Sequence, residues 1–131
     1  MYVLDTNILI YFFTGLGDVS QRLLAVSPKD IGVPAVVIYE LEYGITRSSS
    51  PKKRQQQLAE LCALVKVLPF GRAEAKLSAD IRAKLERKGT PIGPYDLLIA
   101  GTAVSNNAVL VTNNTKEFSR VPKLQIENWF G

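Results

Sequence analysis

At 131 residues, 47% of them hydrophobic, the chain is expected to form one domain spanning residues 1–131 and to bury about two-thirds of its unfolded surface without a covalent staple. Its single cysteine, Cys62, excludes a disulfide framework and a multi-cysteine zinc site and suits a reducing compartment. Histidine is absent, which excludes Ser-His-Asp and Cys-His hydrolysis and the common mixed zinc sites, so acid-base work falls to carboxylates, lysine, tyrosine or water.

The net charge of +4 suits an anionic partner, although many ordinary domains carry as much. No basic and apolar leader opens the chain, and no apolar run approaches the ~20 residues of a membrane helix. The expectation is a soluble, cytoplasmic protein with no membrane partner.

Tyr2-Val3-Leu4 reads as a short strand that runs straight into Asp5, which places a carboxylate at a strand's carboxyl end. In open parallel α/β sheets, ligands collect beyond those ends. Thr6 to Phe13 winds into a helix, with Asp5 or Thr6 as N-cap and Gly15 and Gly17 as breakers. Capping alone would account for Asp5, so its local context leaves capping and catalysis equally open. Asp18 opens a short helix with Val19, Leu23 and Val26 on one face, and Ile31-Gly32-Val33 is a strand.

Pro34 introduces a helix from Ala35 to about Arg47 whose Val36, Val37, Ile38, Tyr39, Leu41, Tyr43 and Ile45 make it apolar nearly all round, which predicts burial on every side. Glu40 and Glu42 interrupt it. Each must find a proton, a cation or a cleft, or else sit solvated at the rim, and periodicity does not choose between the two. Ser48 to Ser50 form a loop, and Pro51 starts a helix with Leu58, Leu61, Cys62 and Val65 on one face. Its start carries Lys52, Lys53 and Arg54, either a solvated face or a contact for phosphate. Val65 to Leu68 is a strand ended by Pro69.

Arg72 to Lys88 is the longest helical pattern, with Ala73, Leu77, Ile81 and Leu85 stepping along one face and Gly89 as its stop. Its other face is basic, with Lys76, Arg82, Lys84, Arg87 and Lys88. Gly93 as N-cap and Pro94 in the first turn put Asp96 at about the third helical position, where the helix dipole favours negative charge. Dipole duty and function both fit. Leu97 to Val104 contains only Thr102 as a polar side chain and should be buried. Val109 to Thr112 is the clearest strand, followed by Asn113 and Asn114, which alone would be ordinary turn residues. Leu124 to Ile126 is a last strand, and Trp129-Phe130 a C-terminal anchor.

Strands alternating with helices argue for an α/β fold, a central parallel sheet of about five strands flanked by helices on both sides, with all strand carboxyl ends at one edge. Asp5 and Asn114 lie at that edge directly. Asp96 and Glu40 join them if their helices start from it. Three carboxylates and an amide oxygen, with no His or Cys, form a hard-oxygen set suited to Mg²⁺ or Mn²⁺, of the kind that activates water in phosphodiester hydrolysis.

Four stretches also carry a resemblance: Val3-Leu4-Asp5-Thr6-Asn7; Tyr39-Glu40-Leu41 with Gly44; Gly93-Pro94-Tyr95-Asp96 through Ile99-Ala100-Gly101; and Leu110-Val111-Thr112-Asn113-Asn114 with Phe118. They resemble the four signature blocks of PIN-domain ribonucleases, and over the whole chain those of the VapC toxins of bacterial toxin–antitoxin pairs. The resemblance implies a Mg²⁺-dependent endoribonuclease, with Mn²⁺ able to substitute, a cognate VapB-type antitoxin and toxin homodimers within a larger assembly. It puts metal-binding aspartates at Asp5 and Asp96, puts the helix acid at Glu40 rather than Glu42, and completes the site with Asn114, where many members have a fourth aspartate. It further implies transfer RNA as substrate, the initiator tRNA anticodon stem-loop, and inhibition of translation. Two other classes fit the residues. A haloacid-dehalogenase-like phosphatase would want a second Asp two residues after Asp5, where this chain has Asn7; a non-catalytic RNA-binding domain would need none of the acids. Open at this point are the contributions of Glu42, Asn113 and Glu117, and whether the basic helix face meets RNA.

Overall fold

The apolar runs of the sequence become five short strands: β1 (Tyr2–Leu4), β2 (Ile31–Pro34), β3 (Lys66–Leu68), β4 (Val109–Val111) and β5 (Gln125–Glu127). In the computed structural model, which describes residues 1–131, they pair in parallel throughout, in the order β3-β2-β1-β4-β5. Parallel neighbours cannot be joined by a tight hairpin and need crossovers. These are supplied by α1 (Thr6–Thr14), α2 (Val19–Leu24), α3 (Ala35–Thr46), α4 (Pro51–Leu64), α5 (Arg72–Arg87), α6 (Pro94–Ser105) and α7 (Thr115–Phe118). No helix is long and apolar enough to cross a membrane.

The strand order steps outward from β1 to β3, then returns to β4 and steps outward again to β5. With right-handed crossovers, α1 to α4 cover one face of the sheet and α5 to α7 the other. The direction reverses between β1 and β4, so the crevice beyond their carboxyl ends is the topological switch point. Both faces of these central strands are covered, and Val3, Leu4, Leu110 and Val111 are fully buried accordingly. The C-terminal anchor is present: Trp129 is buried with its ring 5.2 Å from that of Tyr2, and the Phe130 carbonyl accepts from the Asp18 amide at 2.8 Å.

Two helices depart from expectation. α3 is not buried all round: Val37 and Leu41, one turn apart, are its buried residues, whereas Tyr39 and Tyr43 are 54% and 56% exposed. Tyrosine has an apolar body and a polar tip and tolerates solvent, so counting both tyrosines as core overstated the apolar stripe. On α5, the buried positions are Ser78, Ile81 and Leu85, while Ala73 is exposed. Ser78 lies in the seam because α5 and α6 cross closely there: a Cβ on Gly101 would collide with the Ser78 hydroxyl and come within 3.1 Å of its Cα.

Candidate active site

Asp5 leaves β1 at the switch point, its amide donating to the Val111 carbonyl at 3.2 Å. Its carboxylate also caps α1, Oδ1 accepting from the Ile8 amide at 3.0 Å. Capping and a place at the switch point thus coincide in one side chain. Asp5 is only 5% exposed, and burial pushes its carboxyl above the usual range; the Thr112 hydroxyl and Ile8 amide pull it down, and Glu40 pushes it up.

Glu40 comes to the same place from α3. Thr6 Oγ1 donates to Glu40 Oε1 at 2.7 Å, which fastens that carboxylate to the first turn of α1 beside Asp5. Glu42 points the other way and is exposed. The choice that periodicity left open therefore falls on Glu40.

Asp96 sits in the first turn of α6, behind Gly93 at the N-cap and Pro94. Its carboxyl is pushed up to about 6, first by burial, then by the charges of Glu117, Asp5 and Glu40, against a hydrogen bond from Asn114 that pulls it down. Three acids act on Asp96 from three other segments, so the four elements do converge.

Asn114 enters differently from expectation. It meets the acids through nitrogen, Nδ2 donating to Glu117 Oε2 at 2.5 Å and reaching Asp96 Oδ2 at 3.5 Å. Ionised carboxylates only accept hydrogen bonds, so the amide between two of them must present its donor side. The amide oxygen expected among the metal ligands is turned away.

Glu117 is the site residue that sequence reasoning left unassigned. Its Oε1 accepts from the Gly93 amide at 3.3 Å, which ties α7 to the start of α6. The available signal was its spacing: three residues after Asn114 is one helical turn, so the two side chains share a face. Asn113 lies outside the site, its Oδ1 accepting from Asn128 Nδ2 at 2.9 Å. The basic residues of α5 are on its exposed side and do not enter the site.

The site lacks positive charge. The only ion pair in the molecule joins Arg82 to Glu86 on α5, so none of Asp5, Glu40, Asp96 and Glu117 has a lysine or arginine partner. Buried like-charged carboxylates are stable only if protonated or if a cation intervenes. The donor set is all oxygen and fits a hard divalent ion. No three of the acids are drawn together tightly enough to ligate one ion at once, an open arrangement compatible with an ion that keeps several of its waters, as Mg²⁺ does.

A parallel α/β sheet with carboxylates unpaired by any cation at its switch point has the make-up of a divalent-cation-dependent hydrolase. The family described as PIN domain matches residues 2–124. The chain is 37% identical to Ribonuclease VapC2 of Rickettsia felis over 131 residues, 98% of each chain. It is 34% identical to the tRNA(fMet)-specific endonuclease VapC of Salmonella typhimurium over 128 residues, 98% of this chain and 97% of the other. The fold superimposes with a TM-score of 0.90 on a chain of the Rickettsia felis VapBC2 structure bound to a DNA fragment from its promoter, at 35% identity and 98% coverage of both chains. The DNA-bound VapBC structure from Salmonella typhimurium gives the same score and identity over 98% of this chain and 97% of that one. The chain belongs to the PIN-domain family, in its VapC ribonuclease branch.

Proposed function

We propose that this chain is the toxin of a VapBC-type pair, a Mg²⁺-dependent endoribonuclease that cleaves transfer RNA, namely the initiator tRNA in its anticodon stem-loop, and so inhibits translation. The initiator tRNA follows the name of the Salmonella typhimurium relative, and the anticodon stem-loop follows the resemblance to the VapC branch. The reading rests chiefly on the meeting of Asp5, Glu40, Asp96 and Glu117 beyond the carboxyl ends of β1 and β4 with no lysine or arginine partner among them.

Asp5, Asp96 and Glu40 are the residues that would hold the ion, directly or through waters it keeps, with Mn²⁺ able to replace Mg²⁺. A divalent ion bound there supplies Lewis-acid polarisation of the phosphate and lowers the pKa of a water. The chain's own part is positioning. The Ile8 amide fixes Asp5, and the Thr6 hydroxyl fixes Glu40. Asn114 holds Glu117 with one amide group and reaches Asp96 with the same nitrogen, so Asp96 is oriented without being neutralised. With no histidine present, the proton released in hydrolysis must pass to water or to a carboxylate, tyrosine or lysine of the chain.

In this reading the protein works in the cytoplasm as a homodimer within a larger assembly with a VapB-type antitoxin; the similar structures from Rickettsia felis and Salmonella typhimurium are VapBC complexes. An aspartyl-phosphate phosphatase is disfavoured by Asn7, exposed on α1 where a second acid would be needed. The test is incubation of the purified protein with total tRNA, with and without Mg²⁺, followed by mapping of cleaved ends, for the wild type and for Asp5→Asn and Asp96→Asn. Asn keeps the shape of Asp and removes its charge, so both variants should fold and lose cleavage by roughly 10³-fold or more. Near-wild-type cleavage by either folded variant rules the assignment out.

A further inference from the structure

Tyr39 and Tyr95 stand beside the acids, each immediately preceding a site carboxylate in its helix: Tyr39 before Glu40 on α3, and Tyr95 before Asp96 on α6. Their ring centroids are 5.6 Å apart with planes inclined at 60°, and their hydroxyls are 3.4 Å apart. Both rings stay open to solvent, Tyr95 being 43% exposed. One turn further along α3 comes Tyr43, also open, with the Arg47 guanidinium 5.7 Å over its ring. The result is a row, Tyr95, Tyr39, Tyr43, Arg47, that leads outward from the acidic centre along the exposed side of α3. The core has no use for it, since α3 packs through Val37 and Leu41.

We propose that this row is the platform for the unpaired RNA flanking the scissile phosphate, with bases stacking on Tyr95, Tyr39 and Tyr43 and Arg47 meeting the backbone. The inference rests on the nuclease reading above and adds the residues that give the substrate its affinity. Four carboxylates at the site repel a polyanion and one divalent ion offsets them only in part, so neighbouring contacts that do not depend on those charges must add to the attraction. Stacking on an aromatic face is such a contact, and it accepts any base. An arginine lying over a tyrosine keeps its N–H fork free for a phosphate. The Glu40 charge acts on Tyr95, whose hydroxyl lies 3.4 Å from that of Tyr39, so a strand placed for cutting passes both rings. A duplex keeps its bases stacked on one another and cannot use the row, so the substrate class is a loop or a splayed single strand. A second copy of the chain is the rival occupant of this face, but it would cover the mouth through which the phosphate enters.

The test uses the full chain with Ca²⁺ in place of Mg²⁺ and a short single-stranded oligoribonucleotide carrying 2-aminopurine, with the matching duplex as control. Fluorescence quenching and Kd are read for the wild type, Tyr39→Ala, Tyr95→Ala, Tyr43→Ala and the corresponding Phe variants, together with melting curves and sedimentation mass. Each Ala change should weaken single-strand binding by roughly tenfold and reduce quenching, and Phe should preserve both. The duplex should bind without quenching. The proposal is overturned if the wild type does not quench the single strand, or if folded Ala variants bind and quench as the wild type does. It is equally overturned if the Ala variants change from dimer to monomer with RNA binding unaltered, since the row would then be a contact between copies. Stacking by a wild type that cuts no RNA in Mg²⁺ would refute the nuclease reading and leave the platform standing.

Discussion

Thr6 Oγ1 donates to Glu40 Oε1 at 2.7 Å across a separation of 34 residues, and this bond joins the helix acid of α3 to the turn that carries Asp5. A partner that orients a metal-holding carboxylate typically contributes 10- to 100-fold to metal affinity. Thr6→Val keeps the β-branched shape and removes only the hydroxyl. It is expected to weaken Mn²⁺ binding by roughly tenfold in a calorimetric titration, with a loss of ~1 kcal/mol or less in stability. Thr6→Ser should restore binding. An unchanged Mn²⁺ affinity in Thr6→Val would mean that the bond holds the fold and not the ligand.

The protonation of Asp96 sets a pH dependence whose sign can be worked out. Its carboxyl has a pKa of about 6 in the fold against 3.8 ordinarily, so the fold disfavours the charged form. The stabilisation associated with its proton is complete below pH 3.8 and is lost as pH rises through about 6. The difference corresponds to ~3 kcal/mol in full, and partial contact with solvent reduces it to ~1–2 kcal/mol. Asp5 is raised in the same direction. In EDTA, Asp96→Asn should therefore melt above the wild type at pH 7.5 and lose that advantage near pH 4. Saturating Mn²⁺ should reverse the order at pH 7.5. A difference in Tm that stays constant from pH 4 to pH 7.5 would contradict this account.

What could be read from the sequence follows from how local each signal is. Asp5, Asp96 and Asn114 each stand next to a strand end or a helix start, and chain order alone brings such positions to one edge of a parallel sheet. Glu40 was harder, because both it and Glu42 lie on a helix rich in apolar residues. Only the contact with Thr6, made in three dimensions, separates them. Tyr39 and Tyr43 were misread as core for the same reason. Ser78 is polar and so drops out of any apolar stripe; its burial depends on Gly101, on a different helix. Glu117 lies on α7, four residues long, too short to show a period, and its importance comes from the Gly93 amide and Asn114 that it holds.

The Ser78–Gly101 crossing gives a test of how rigidly Asp96 is carried. A methyl group on Gly101 collides with the Ser78 side chain and crowds its backbone, so rotamer adjustment alone cannot relieve it. Gly101→Ala must push α6 away from α5. It should cost ~2–3 kcal/mol in chemical denaturation, in the range of overpacked cores, and it should lower cleavage because Asp96 moves with α6. Ser78→Gly in the same chain should recover most of the loss. A Gly101→Ala protein as stable as the wild type would show that the seam has room for a methyl group.

Asn114 and Glu117 together decide how much cation the site calls for. The Asn114 amide donates to Glu117 at 2.5 Å and reaches Asp96 at 3.5 Å, supplying the positive end of a dipole where no lysine or arginine is present. Asn114→Asp exchanges that donor for a fifth carboxylate beside Asp5, Glu40, Asp96 and Glu117. The metal-free protein should then lose ~1–2 kcal/mol and the Asp96 carboxyl should titrate above its present value of about 6. The same added charge attracts a divalent ion, so Mn²⁺ should bind several-fold more tightly. Glu117→Gln removes the largest charge effect on Asp96 and should act in the opposite sense on both quantities, lowering the Asp96 pKa and weakening Mn²⁺ binding. Carbon-detected NMR of the carboxyl resonances, run beside the calorimetric titration, follows the two quantities separately. Because no three acids are drawn together before the ion arrives, the wild type should hold about one weakly bound Mn²⁺ per chain in the absence of RNA. Two tight sites in the wild type, or an Asn114→Asp variant that gains stability without metal, would overturn the assignment of Asn114 as the group that moderates the acids' repulsion.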